Sequence, residues 1–183
     1  LKPDNIMIGS YGEVLVVDWG IAKIMRDGQS ELDELNESDA PLPNSFNTQV
    51  GRIVGTPTYM SPEQASGYSD SHDQRSDIYS LGVILYYMLS GSLPYTGKSS
   101  EDVLRQLLSG PPPTLEMRKI NTERTDLIRQ LRDLTLKLPI PPVLIHTCDK
   151  AMSRAPEDRF STTAELAKIV SEWLDESKQR EQA

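Results

Sequence analysis

The sequence of 183 residues contains a single cysteine, only two histidines and no long run of apolar residues. Cys148 cannot form an internal disulfide, which favours a reducing compartment, and we expect a cytoplasmic location. His72 and His146 lack nearby ligand-type neighbours, so a histidine-based metal centre is disfavoured. No stretch approaches the roughly 18 apolar residues that span a membrane. A membrane segment is therefore not expected in this sequence, although an anchor elsewhere in a longer protein stays open.

Basic residues are outnumbered, with 19 Lys and Arg against 27 Asp and Glu, which gives a net charge of −8. This balance argues against nucleic acid as a partner, because nucleic-acid-binding domains are usually basic. The hydrophobic share of 37% and the charged share of 25% are typical of a globular domain. The length allows one domain with a sizeable core.

The first twenty residues combine a predicted hairpin with oxygen-bearing side chains. Two short apolar runs, at 6–8 and 14–17, flank a turn bounded by glycines, and this pattern predicts two paired strands. Asn5 directly precedes the first run and Asp18 directly follows the second. An amide oxygen and a carboxylate oxygen held near each other suit a hard cation such as Mg²⁺. Taken alone the signal is weak, because an isolated Asp-x-Gly is usually a turn.

Further motifs follow in a fixed order. The chain opens with Leu1-Lys2-Pro3, residues 55–63 read Gly-Thr-Pro-Thr-Tyr-Met-Ser-Pro-Glu, and residues 156–160 read Pro-Glu-Asp-Arg-Phe. Together with Asp18-Trp19-Gly20, these motifs resemble the eukaryotic-like serine/threonine protein kinases of bacteria. The resemblance begins just after the position of the catalytic Asp in the His-Arg-Asp motif, and it extends to about Leu174.

The resemblance implies a mainly α fold, the large C-terminal lobe of a kinase, with a short β-hairpin at the catalytic and metal-binding loops. An intact kinase would be α+β. Residues 1–174 are then the lobe, with an activation segment at 18–63, and residues 175–183 are a charged tail that we expect to fray. Within the lobe, the sequence predicts helices near 76–89, 99–110, 122–138, 142–154 and 162–174.

Four residues acquire catalytic or binding roles from the resemblance. Lys2, Asn5 and Asp18 would bind ATP, with Asn5 and Asp18 as ligands of Mg²⁺ or Mn²⁺ and Lys2 neutralising charge on the γ-phosphoryl group. Thr56 would hydrogen-bond the catalytic Asp and Lys2. The alternative for Thr56 is a turn hydroxyl that caps its own backbone.

Three hydroxyls of the activation segment, Thr48, Ser45 and Thr58, are candidates for phosphorylation. A phosphate adds nearly two negative charges and can order such a loop. For each of them the alternative is an ordinary loop hydroxyl.

Three charged residues are expected to serve the architecture. The resemblance pairs Glu63 with Arg159 in a buried ion pair and places Asp77 at the start of the central helix, where it bonds the backbone of the catalytic loop. Asp77 also fits a simpler role, because an acid in the first turn interacts favourably with the helix dipole.

The motifs do not include a Gly-rich loop, a strand Lys or a catalytic Asp, so we expect residues 1–183 alone to be inactive. The expected partners are ATP, protein substrates and a second kinase copy in a dimer. Two alternatives stay open: a pseudokinase-type protein-interaction module, and a structural helical domain without a link to nucleotides.

Overall fold

The computed structural model describes residues 1–18, 57–67, 73–115 and 140–182. The chain divides into two compact units, one made of Leu1–Asn5 with Thr56–Ala183 and the other of Ile6–Gly55. The described residues are mainly helical, with one two-stranded sheet. This is the fold class that the sequence predicts.

The smaller unit contains the predicted hairpin. Strand β1 (Ile6–Ile8) pairs antiparallel with strand β2 (Val14–Val16), and Ile6 lies opposite Val16. The turn is closed by a hydrogen bond of 2.8 Å from the Gly9 amide to the Glu13 carbonyl. Gly12 has a φ of 85°, a conformation that glycine adopts without steric cost. Short β-branched runs and a glycine turn thus form a hairpin, as the sequence predicts.

The larger unit contains the helices. Among the described residues they are, in chain order, α1 (Pro62–Ala65), α2 (Gln74–Ser90), α3 (Ser100–Ser109), α4 (Pro142–Ala151) and α5 (Thr163–Gln182). The described part of the same unit also has single 3₁₀ turns at Pro3–Asn5, Pro57–Tyr59 and Pro156–Asp158. The predicted helix at 122–138 lies outside the described residues.

Helix α2 is the centre of the core, as its apolar character on all sides predicts. Ile78 and Val83 are completely buried, and the helix packs closely against α4. The two helices can approach this closely because residue 82 is glycine. A Cβ at this position would lie 2.9 Å from Ala151 Cβ, which is too near. The helix begins at Gln74, two residues before the predicted start, because the Asp73 carboxylate accepts a hydrogen bond of 2.8 Å from the Arg75 amide.

The C-terminal helix is longer than expected. We expect fraying after Asp175, but α5 continues to Gln182. Lys178 lies 3.8 Å from the Asp175 carboxylate, and Arg180 lies 3.4 Å from that of Glu176. Pairs at these spacings support a helix, each by about 0.2–0.5 kcal/mol. The expectation of fraying was wrong because it weighed the charge of the segment and not the spacing of opposite charges.

No helix among the described residues combines the length and the apolar character that crossing a membrane requires.

Candidate functional site

The N-terminal turn carries two of the predicted binding residues, Lys2 and Asn5. The backbone N–H of Asn5 donates a hydrogen bond of 3.0 Å to the backbone carbonyl of Lys2, which closes the turn. Lys2 is partly exposed, and its Nζ lies 3.9 Å from an Asp4 carboxylate oxygen that is itself largely exposed. An exposed pair of this kind contributes little to stability. The Lys2 ammonium group therefore remains accessible to an anionic ligand.

Asp77, in the first turn of helix α2, lies beside the start of this N-terminal segment. The amino group of Leu1 donates a hydrogen bond of 3.4 Å to Asp77 Oδ1. In a chain with residues before Leu1, the same nitrogen would be a peptide N–H and could make the same contact. The Asp77 side chain thus meets the backbone of the segment, and its position in the first turn of α2 also suits the helix dipole.

Asp18 follows β2 and has an unusual backbone conformation. Its φ is 65°, and within the described ranges it is the sole residue other than glycine with a positive φ. Asp tolerates this left-handed region better than most residues, but the conformation still costs about 1–2 kcal/mol. Strained backbone of this kind concentrates at functional sites. The sequence pattern does not predict this conformation.

The two predicted metal ligands carry oxygen donors, which are the kind that Mg²⁺ prefers. In the part of the chain that the structure describes, no three His, Cys, Asp or Glu side chains gather into a metal site. Mg²⁺ typically takes one or two protein ligands and completes its shell with water and phosphate oxygens. The amide of Asn5 and the carboxylate of Asp18 are the right chemical types for that role.

Arg159 is the centre of a buried polar cluster. Its Nη1 and Nη2 donate hydrogen bonds of 2.8 Å to the two carboxylate oxygens of Glu63. Nη1 also donates to the Arg75 carbonyl, Nη2 to the Arg154 carbonyl, and Nε to the Ser153 carbonyl, at 2.9, 3.0 and 2.8 Å. A guanidinium has five N–H groups, so every one has an acceptor.

This cluster contains the ion pair that the sequence predicts between Glu63 and Arg159. The Arg159 side chain is completely buried and that of Glu63 is 9% exposed. The guanidinium also lies 5.0 Å from the centre of the Tyr79 ring, a cation–π distance. The pair joins residues 96 positions apart in the chain. It therefore fixes the end of the 18–63 segment to the far end of the helical unit.

The Glu63 carboxyl is held in its charged form. Burial alone would raise its pKa, but hydrogen bonds from Arg159 and from the Ser76 hydroxyl lower it, and the resulting pKa is about 2, against an ordinary value of 4.5. The Ser76 Oγ lies 2.7 Å from Glu63 Oε1. Ser76 is a contact that sequence reasoning missed, since a serine in the first turn of a helix gives no signal for a distant carboxylate.

The turn before Glu63 is held from both ends. Ser80 on α2 donates a hydrogen bond of 2.8 Å to the Tyr59 carbonyl. Ser61 caps α1 by accepting from the Gln64 amide, and the Gln64 side chain accepts from the Ser61 amide in return. This capping box is not among the sequence-based expectations, although Ser-x-x-Gln is its ordinary signature.

Of the three predicted phosphorylation positions, Thr58 lies within the described residues. Thr58 is buried, at 9% exposed, which argues against its modification in this conformation. Thr48, Ser45 and Thr56 lie outside the described residues.

Comparison with known proteins identifies what the chain is similar to. The family model described as "Protein kinase domain" matches residues 1–172. A protein named serine/threonine-protein kinase PknD from Chlamydia muridarum is 38% identical over 179 residues, which is 95% of this chain and 17% of that protein. Proteins of the same name from Chlamydia felis and Chlamydia pneumoniae are 34% and 32% identical, over 97% and 95% of this chain. The chain spans about a sixth of the length of these relatives.

Proposed function

The chain belongs to the protein kinase family, and we propose that the protein transfers the γ-phosphoryl group of ATP to serine or threonine side chains of other proteins. The observation that carries the proposal is the likeness, over 95% of the chain, to proteins named as serine/threonine kinases. The left-handed backbone of Asp18 supports it, because such strain is characteristic of residues with a functional constraint.

Each predicted site residue receives a role in this proposal. Asn5 and Asp18 would hold Mg²⁺, or Mn²⁺, and Lys2 would approach the γ-phosphoryl group with its accessible ammonium group. A bound divalent cation neutralises charge on the β- and γ-phosphates. Thr56 would orient Lys2 through its hydroxyl. Phosphoryl transfer depends mainly on positioning and electrostatics, so groups of this kind carry much of the chemistry.

The matched motifs supply groups for phosphate and metal, but not the general base of the family template. We therefore expect residues 1–183 by themselves to show no phosphotransfer. Phosphorylation of Thr48 or Ser45 is a further proposal, and mass spectrometry of the protein after incubation with ATP tests it.

We also propose a cytoplasmic location and a dimer contact on the helical unit. The location is supported by the need for ATP and by Cys148, a free thiol that is completely buried. Burial raises the pKa of this thiol, which suits a packing role and not a nucleophile. Analytical ultracentrifugation of the full-length protein tests the dimer.

The test of the catalytic proposal is the substitution Asp18→Asn in the full-length protein. Asparagine keeps the shape and tolerates a left-handed backbone, but it removes the negative charge that Asp18 would contribute beside the neutral Asn5 amide. We expect transfer of labelled phosphate from ATP to myelin basic protein to fall by at least about 100-fold. The matched control is Asp175→Asn on α5, whose carboxylate is largely exposed and should be dispensable.

Retention of full activity by Asp18→Asn would remove Asp18 from the site. If the wild-type full-length protein transferred no phosphate, while its binding to a protein partner survived Asp18→Asn, the interaction-module alternative would replace the enzyme.

A further inference from the structure

The C-terminal end of helix α3 is held by side chains from other parts of the helical unit. Arg154 donates from Nη1 to the Leu107 carbonyl at 3.2 Å and from Nη2 to the Leu108 carbonyl at 2.5 Å. The Tyr95 hydroxyl donates to the Gly110 carbonyl at 2.9 Å. We call Arg154 and Tyr95 together the α3 clamp.

The α3 clamp binds carbonyls that the local sequence leaves without a cap. The last four carbonyls of a helix have no partner within it, and Gly110 is extended rather than left-handed, so the usual glycine cap is absent. Pro111 follows, and a proline cannot continue the helix. The α3 clamp supplies donors to two of these carbonyls, those of Leu107 and Leu108, and to the carbonyl of Gly110. The positive charge of Arg154 also suits the negative end of the helix dipole.

The backbone of residue 154 is in turn fixed by Arg159. The Arg154 carbonyl accepts a hydrogen bond of 3.0 Å from Arg159 Nη2, and the neighbouring Ser153 carbonyl accepts one of 2.8 Å from Nε. The backbone of Arg154 is therefore held in the buried cluster, and its side chain extends to the end of α3. Its guanidinium connects the Glu63–Arg159 ion pair to the end of that helix.

Helix α3 reaches residues 57–65, and Tyr59 of this stretch interacts electrostatically with Asp4 in the turn that carries Lys2 and Asn5. It packs against both the Pro57–Tyr59 turn and helix α1. The residues of α3 that lie in the core are Val103, Leu104 and Leu107, and Leu107 carries one of the carbonyls bound by Arg154. Residues 57–65 are thus supported in two ways, directly through Glu63 and laterally through α3.

We propose that Arg154 is a positioning residue, which holds α3 against residues 57–65 and thereby sets the affinity for the protein substrate. The kinetic part rests on the proposed function, because it takes residues 57–65 as part of the surface that a substrate protein meets. The positioning of α3 by Arg154 does not depend on the proposed function. Arg154 itself contacts neither nucleotide nor metal in this proposal.

Hydrogen exchange of the full-length protein, followed by mass spectrometry, tests the positioning part. In Arg154→Met we expect amides at 105–110 to exchange about tenfold faster and those at 57–65 about threefold faster. Arg154→Lys keeps the charge but not the planar fork that reaches two carbonyls, so its effect should be intermediate. The matched control is Arg105→Met, because Arg105 lies on the same helix, is largely exposed and, among the described residues, forms its ion pairs with Asp102 and Glu101 of that helix.

Steady-state kinetics with myelin basic protein tests the second part. Arg154→Met should raise KM for the protein substrate about fivefold and leave kcat and KM for ATP within about twofold. Arg154→Lys should restore part of the affinity, and Arg105→Met should behave as wild type. A general loss of fold would instead lower kcat and affect ATP as well.

Unchanged exchange at 57–65 in Arg154→Met, or equal effects of Arg105→Met, would overturn the positioning role. Faster exchange there with an unchanged KM would overturn the link to substrate affinity. If the wild-type protein showed no phosphotransfer, the proposed function would fail together with that link, and the exchange experiment would still decide the positioning role.

Discussion

Replacing Glu63 with Gln tests how the buried ion pair stabilises the fold. The substitution keeps the size of the side chain and removes its charge. At pH 7 the wild-type carboxylate accepts hydrogen bonds from both Nη atoms of Arg159 and from the Ser76 hydroxyl. An amide retains a single acceptor oxygen. Glu63→Gln therefore leaves a buried guanidinium without its counter-charge.

The pKa of Glu63 gives the size of the effect. A pKa lowered from 4.5 to about 2 corresponds to about 3 kcal/mol of stability, since each pKa unit is worth about 1.4 kcal/mol. This agrees with the roughly 3–5 kcal/mol that breaking a buried pair costs. Because the folded-state pKa is the lower one, the stability is fully present above about pH 4.5 and is lost as the pH falls toward 2.

Urea unfolding followed by circular dichroism measures the difference. At pH 7 Glu63→Gln should be less stable than wild type by about 3 kcal/mol, and the gap should narrow to under about 1 kcal/mol near pH 2.5. The matched control is Glu172→Gln, because Glu172 pairs with Lys168 on the exposed face of α5 at 3.9 Å and should contribute below about 0.5 kcal/mol. If wild type and Glu63→Gln kept a constant gap across this range, the lowered pKa would be refuted.

Two further substitutions test the packing of the core by the same unfolding assay. Gly82→Ala should destabilise by about 1–3 kcal/mol, because the new methyl would lie 2.7 Å from Met152 Cγ and 2.9 Å from Ala151 Cβ. Gly110→Ala is the control, because a Cβ added there would meet no atom of the described residues within 4 Å, and equal costs would contradict the steric argument. Tyr79→Phe should cost no more than about 1 kcal/mol, since among the described residues the buried Tyr79 hydroxyl makes no hydrogen bond of ordinary geometry and interacts only more loosely with the Tyr95 hydroxyl. A loss above about 2 kcal/mol would contradict this prediction.

The sequence predicts the fold well where the pattern is local. The runs on either side of the Gly9–Gly12 turn form the hairpin, and Ser99 and Gly110 bound helix α3 as expected. It fails where two weak effects compete. Beyond Asp175, net charge argues for fraying and the spacing of opposite charges argues for helix; the helix persists to Gln182.

The sequence predicts contacts in the site only where the family resemblance pairs two motifs. The proximity of Glu63 and Arg159 follows from the family resemblance, since a separation of 96 positions gives no local clue. The three carbonyl acceptors of Arg159 could not be predicted, because every residue has a carbonyl and only the folded backbone selects among them. The φ of Asp18 is likewise a property of the folded chain, as Asp adopts both signs of φ in different settings.

Helix α2 shows why a core helix can also organise a site. It is apolar on nearly every side, yet its first two turns carry Ser76, Asp77 and Ser80, and the two serines are almost completely buried. Buried hydroxyls need hydrogen-bond partners, and part of that need is met outside the helix: Ser76 donates to Glu63, and Ser80 donates to the Tyr59 carbonyl. Asp77 meets the amino group at the start of the chain. One end of a single rigid helix thus holds two segments that are more than fifty positions apart in the sequence. The polar exceptions in its apolar pattern are the residues that connect the core to the proposed catalytic surface.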